Sequence, residues 1–234
     1  MSNPTQLNHL AIICDGNRRW ARSQGKPAFF GHQEGVKRIP ELIDASLKHQ
    51  IKFLTFWVFS TENWQRSQTE INGLFQLFKS SFKKFHAEAQ KKQVRAKFIG
   101  DIAKMPKDIQ DIIKQIIDET QDFNRLTVTF ALNYGGRDEL IRSIKKYCLA
   151  VRQGQEEIDH LSPEIFDGYL DTHDLPDPDL VVRTSGEQRL SGFLPWQTNY
   201  SELYFPLVHF PEFDSQQFEL AVKEFQHRQR RYGK

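Results

Sequence analysis

The chain is poor in sulfur, with two cysteines and two methionines among 234 residues. Cys14 and Cys148 form neither a metal-ligand spacing nor a disulfide framework. Each stands in an apolar context, so both are expected to be reduced core thiols of a cytosolic protein. Long apolar runs are missing too: none reaches the ~18 residues of a membrane-spanning helix, and the N-terminus lacks the apolar core of a signal peptide. A soluble, cytoplasmic protein is expected. Charge of one sign is scarce. The formal net charge is +2, and no block of like charge exceeds a few residues, which leaves no footprint for nucleic acid. The densest basic cluster, His227-Arg228-Gln229-Arg230-Arg231, reads as a solvated helix end. There is no internal repeat, no low-complexity segment and no linker, so residues 1–234 are read as one domain large enough to bury a full core. No Gly-x-x-x-x-Gly-Lys-Ser/Thr loop occurs, and Gly31 to Lys37 only half resembles one, which argues against an NTPase or nucleotidase. The loop Asp171 to Asp179 is acidic but has no adjacent aspartates, and Pro176 and Pro178 preclude a helix there, so metal binding in it is not expected.

Apolar runs and amphipathic stretches alternate along the chain. Strands are predicted over 9–14, 52–59, 94–99, 126–132 and 179–183, with a sixth over 202–208. Lys52 to Phe59 is almost continuously apolar, as in a parallel strand covered on both faces. Helices are predicted over 32–49, 69–92, 106–120, 137–152, 162–170 and 214–231, with Thr69-Glu70 opening the second and Asp214 with Gln217 capping the last. The expected fold is α/β: a central, mostly parallel six-stranded sheet flanked by helices on both faces. In such sheets ligands bind beyond the carboxyl ends of the strands, and Asp15, Ser60, Asn133 and Arg183 all stand at such ends.

The run Cys14-Asp15-Gly16-Asn17-Arg18-Arg19-Trp20 follows the first strand and precedes a segment able to start a helix. Free backbone N–H groups beside two guanidinium forks suit a polyanion such as diphosphate. The Asp15 carboxylate would repel that anion unless a divalent cation lay between them. Magnesium, which takes one or two carboxylates plus phosphate oxygens, meets that need. By itself Asp-Gly-Asn is also an ordinary helix-capping turn.

Further blocks accompany this run: Gly31-His32 with Gly35; Phe59-Ser60-Thr61-Glu62-Asn63-Trp64-Gln65-Arg66; Asn133-Tyr134-Gly135-Gly136-Arg137; and Arg183 to Ser191 with Trp196-Gln197 and Glu202 to Phe205. In this order, across residues 9 to 233, they resemble the cis-prenyltransferases, the family of undecaprenyl diphosphate synthase. The resemblance implies sequential condensation of isopentenyl diphosphate onto farnesyl diphosphate to give undecaprenyl diphosphate, the lipid carrier precursor for cell-wall polysaccharide. It implies Mg²⁺ as cofactor, a homodimer, an apolar product tunnel, a product that partitions to the membrane, and loose association of the enzyme with the membrane's inner face. Members of other product length share the blocks. Non-catalytic accessory subunits of two-chain enzymes lose the Asp-Gly-Asn block that this chain retains.

Carried over residue by residue, the resemblance assigns Gly16, Asn17, Arg18, Arg19, Trp20 and His32 to the allylic diphosphate. Ser60, Thr61, Glu62, Asn63, Trp64 and Arg66 fall beside the isopentenyl unit, and Arg183, Arg189, Leu190 and Ser191 on its diphosphate. Asp15 and Glu202 are implied as metal ligands, and Asp15, Ser60 and Asn63 as catalytic. Asn63 is named in the family as proton acceptor, although a neutral amide is a poor base and positioning suits it better. The chain departs from the family pattern at Ala28, where arginine is usual, with Arg18 as compensation, and at Gln188, where histidine is frequent. Leu126 matches the tunnel floor, Val58 stands where a smaller residue is common, and Arg231-Tyr232-Gly233 matches an element that reaches the partner's site. Most of the nineteen phenylalanines are expected in the core.

Overall fold

The computed structural model describes residues 6–228. The tail element Arg231-Tyr232-Gly233 lies outside the described residues. Six parallel strands form one sheet: β1 His9–Ile13, β2 Phe53–Ser60, β3 Val94–Ile99, β4 Leu126–Tyr134, β5 Leu180–Arg183 and β6 Glu202–Tyr204, in the order β3-β4-β2-β1-β5-β6. Every pairing among the described residues is parallel. β1 and β4 are buried at every position, which is why they read as unbroken apolar runs. β6 is three residues long because Pro206 follows it and cannot donate to a ladder.

The helices are α1 Asn17–Ser23, α2 Ala28–Val36, α3 Arg38–Lys48, α4 Gln68–Lys92, α5 Lys107–Thr120, α6 Gly136–Arg152, α7 Pro163–Asp167 and α8 Ser215–His227. The single helix expected over 32–49 is two helices broken at Lys37. Pro40 explains the break: within one continuous helix its ring would meet the carbonyl of Val36, whereas in the first turn of a new helix its missing N–H costs nothing. α4 starts earlier than Thr69, because Ser67 is the cap and accepts from Glu70 N at 3.3 Å. Its Ile71, Leu74, Phe78, Phe82, Phe85 and Ala89 recur at helical spacing and are buried.

Cys148 does not join the core. It is exposed on α6, beside the exposed Ile141, Ile144 and Leu149, so an apolar neighbourhood in sequence did not mean burial in space. Cys14 is half-buried, and burial pushes its thiol pKa up. The larger core joins β1, β2, β3 and β4 to α3, α4, α5 and α8, and a smaller one covers the opposite face around Tyr134, Phe193 and Leu194. No helix among the described residues is long and apolar enough to cross a membrane.

Candidate active site

β1 and β5 are adjacent, with Ile13 in register with Arg183, so Asp15 and Arg183 leave the sheet side by side. The chain crosses from β1 to β2 on one side and returns to β5 on the other, which makes this a topological switch point. Arg183 donates from Nε and Nη2 to Asp15 Oδ2 at 3.2 and 2.9 Å. Its Nη1 donates to Arg189 O at 2.6 Å and Ser191 Oγ at 2.7 Å. Asp15 Oδ1 accepts from Gly16 N at 2.6 Å and lies 3.2 Å from Arg19 Nη2. Burial alone would raise the Asp15 pKa, but Arg183 and Arg19 outweigh it and hold the carboxyl below the usual range. Gly16 adopts φ +94°, and a Cβ there would fall 1.9 Å from Ser185 Oγ, so the turn admits only glycine.

Beyond Asp15 lies a cavity of about 300 Å³ lined by Gly16, Asn17, Arg18, Arg19, Arg22, His32 and Arg66. Asn17 Oδ1 and Arg18 Nε are buried without a hydrogen-bond partner among the described residues; the former packs against Gly35 and the latter lies 3.9 Å from Glu70 Oε1. Arg22 was not foreseen from the sequence; its signal was the i, i+4 spacing from Arg18 on α1. His32 is drawn down to about 4, by burial first and by Arg66 second, against the opposing pull of Glu70, so the imidazole is neutral at pH 7 and has one N–H to donate.

Asp15, Asn17, His32 and Arg66 also line a second, larger cavity of about 830 Å³, so the two are adjacent and share a wall. Its walls are apolar: Val58 and Phe59 of β2, Ile39 and Ile43 of α3, and Leu74, Phe78, Phe82, Phe85 and Ala89 of α4. Leu74 to Ala89 spans about 22 Å along the helix. Val94 and Phe130 close the far end, and Lys92 on its rim is ion-paired with Asp44 of α3 at 2.6 Å. Leu126, expected at the tunnel floor, does not line the cavity. It is fully buried in register with Val94, and Val94 is the residue that faces the space.

Ser60 ends β2 and opens a 3-10 turn over Thr61–Gln65. Ser60 N donates to Asn63 Oδ1 at 3.1 Å, so the Asn63 carbonyl oxygen already serves the turn. Ser60, Glu62, Asn63, Arg66, Arg183 and Ser191 line the larger cavity. Trp20, Thr61, Trp64, Arg189, Leu190 and Glu202 line neither one. Trp20 stacks on Phe30, Arg189 is exposed and paired with Glu187, and Leu190 packs on the smaller core. Glu202 is in register with Leu180, three positions before Arg183, and pairs with Arg228 at 2.9 Å, so the structure does not bring it to Asp15. No group of three or more His, Cys, Asp or Glu among the described residues could hold a metal. What Asp15 offers is a single carboxylate beside a cationic pocket. That donor set fits magnesium completed by ligand phosphate oxygens and does not form an all-protein cage.

The prenyltransferase family model described as "Putative undecaprenyl diphosphate synthase" matches residues 13–233. An isoprenyl transferase of Clostridium perfringens is 40% identical over 96% of this chain and 89% of its own length. A tritrans,polycis-undecaprenyl-diphosphate synthase (geranylgeranyl-diphosphate specific) of Picrophilus torridus is 42% identical over 96% of this chain and 89% of its own. The crystal structure of lavandulyl diphosphate synthase from Lavandula x intermedia, in complex with dimethylallyl diphosphate, superposes with a TM-score of 0.96 at 32% identity, covering 99% of this chain and all of that one.

Proposed function

The chain belongs to the undecaprenyl diphosphate synthase family of prenyltransferases, and we propose that it extends farnesyl diphosphate by successive cis additions of isopentenyl diphosphate to undecaprenyl diphosphate, with magnesium. The observation that carries this reading is the adjacency of the two cavities. A basic pocket matched to a diphosphate lies against an apolar space matched to its prenyl tail, and Asp15 lines both.

As the allylic C–O bond breaks, negative charge grows on the departing diphosphate. Arg18, Arg19 and Arg22 line the pocket that receives it, with Arg19 held in place by Asp15 and Glu187. Magnesium, held by Asp15, would supply further neutralisation of the diphosphate. The second diphosphate falls to Arg183 and Ser191, with Arg189 joining through the same loop. Because Arg183 bonds to Asp15, one ion pair separates the two anion sites and couples them. Ser60 and Asn63 orient the isopentenyl unit. The Asn63 oxygen is engaged by Ser60 N, and an amide is a poor base, so the proton released on forming the new double bond passes to the departed diphosphate. Glu202 serves a metal only if a second copy of the chain brings it to the site. A homodimer completed by the tail at Arg231-Tyr232-Gly233 belongs to the same reading, as do a cytoplasmic location and release of product into the inner membrane face.

The test is incorporation of radiolabelled isopentenyl diphosphate with dimethylallyl, farnesyl or geranylgeranyl diphosphate as primer, in magnesium or in chelator. Products are sized by reverse-phase thin-layer chromatography. Farnesyl diphosphate should be elongated to undecaprenyl length in magnesium only. Preference for geranylgeranyl diphosphate would move the chain toward the Picrophilus torridus type of primer choice. No incorporation with any primer would refute the reading.

A further inference from the structure

The block Asn133-Tyr134-Gly135-Gly136 touches neither cavity, yet it grips both segments that flank the isopentenyl side of the site. Asn133 is buried at the end of β4 with φ +50°, a left-handed conformation that asparagine tolerates better than other side chains. Its backbone oxygen accepts from Asp101 N at 3.1 Å, and its Nδ2 donates to Asp101 O at 2.8 Å. That pins the amide, and its Oδ1 accepts the indole N–H of Trp64 at 2.8 Å. Trp64 in turn packs edge-on against Phe59 and Phe75, and it is the neighbour of Asn63 in the 3-10 turn. Gly135 lets that turn approach: a Cβ there would fall 2.3 Å from Thr61 Oγ1. Gly136 holds the opposite wall. Its N–H donates to Gly192 O at 2.9 Å, and a Cβ would fall 2.2 Å from Pro195 Cδ, in the loop that carries Ser191.

We propose that Asn133 is a positioning residue that acts through Trp64, and that with Gly135 and Gly136 it fixes the Ser60–Asn63 turn relative to the Arg183–Ser191 site. The inference rests on the reading that these two segments bind the isopentenyl substrate. Its consequence is selective. The allylic site is built mostly on α1 and α2, which the block does not touch, and its one residue from the end of the clamped turn, Arg66, is held separately by Glu70 of α4 at 3.1 Å, so loss of the clamp disturbs isopentenyl diphosphate use and spares primer binding.

A double-mutant cycle tests this. Trp64→Phe keeps a ring against Phe59 and Phe75 and removes only the N–H; Asn133→Gly keeps the backbone conformation and removes the acceptor. Each single variant should lower kcat/KM for isopentenyl diphosphate by between about tenfold and a hundredfold, as for a small misplacement at a distance. The dissociation constant for farnesyl diphosphate should be unchanged, and the double variant should be no worse than the poorer single one. Losses that multiply, or primer affinity that falls in step, would overturn the proposal. If Asn133→Gly does not fold, Gly135→Ala replaces it. That position has φ −146°, ordinary for alanine, so the substitution acts only by pushing Thr61, and it should give the same split between substrates. A wild-type protein that incorporates no isopentenyl diphosphate would refute the prenyltransfer reading instead. The clamp is then judged from the backbone amide resonances of Ser60 and Asn63. Asn133→Gly and Trp64→Phe should move them alike, and resonances left in place would overturn it.

Discussion

Replacing Asp15 with alanine removes four contacts at once: two from Arg183, one from Arg19 and one from Gly16 N. The side chain is about a quarter exposed, but the Arg183 side chain is only 8% exposed, so its guanidinium is left buried and half-paired. Breaking such a pair in a deep interior costs about 3–5 kcal/mol; with one partner open to water, about 2 kcal/mol is the fitting expectation. For a chain of this length that lowers Tm by about 4–8 °C. Catalysis should suffer more. Loss of one main charge-stabilising group costs on the order of a hundredfold or more in kcat. Asp15→Asn helps to separate the two effects, because its amide keeps the shape and one acceptor oxygen, for Arg183 or for Gly16 N but not for both, while lacking the charge. The variants are compared by thermal unfolding and by steady-state incorporation of isopentenyl diphosphate at saturating primer. Asp15→Asn should recover part of the Tm, through the one acceptor it keeps, and little of the kcat. An alanine variant with near-normal kcat would refute the role of Asp15 in leaving-group stabilisation. If kcat instead returned with Tm in Asp15→Asn, the carboxylate would be a structural tie and nothing more.

Ala89→Phe places a ring in the apolar cavity close to its far end and should shorten the product ladder seen by reverse-phase thin-layer chromatography, with single-addition activity retained. Leu126→Ala should cost about 2–5 kcal/mol of stability, as for any large-to-small change in a core, and leave the ladder unchanged because Leu126 does not line the cavity. A longer ladder would show that the wall gives way. His9 is buried between Pro176 O at 2.7 Å and Thr55 Oγ1 at 2.8 Å, and burial draws its pKa to about 4. The unfolded chain therefore binds a proton below pH 6.5 that the folded chain refuses until about 4. Stability from this group is complete above pH 6.5 and falls as pH drops, by about 2 kcal/mol at pH 5 at 1.36 kcal/mol per unit. Chemical unfolding at pH 7 and pH 5 should show a smaller difference for His9→Gln than for wild type, and equal differences would refute the assignment.

How much of this was legible in the sequence depended on distance along the chain. Strand positions could be read because a parallel strand covered on both faces must be apolar throughout, as Leu126 to Tyr134 is. The Asp15 block was legible because a carboxylate, a glycine and paired guanidinium groups occur within a few residues. The break at Lys37 was written in Pro40, although helical periodicity ran through it and hid it. Contacts between distant residues were not legible. Asp15 and Arg183 are 168 positions apart and meet because β5 is inserted beside β1, an adjacency that no local pattern encodes. The same holds for Trp64 and Asn133, and for Val94 lining the cavity where its strand neighbour Leu126 does not. Composition and periodicity thus determined the kind of layers and the blocks at the strand ends. Only the order of strands in the sheet, and the two-sided packing that follows from it, decided which phenylalanines are core, which wall a cavity, and which charges share a site.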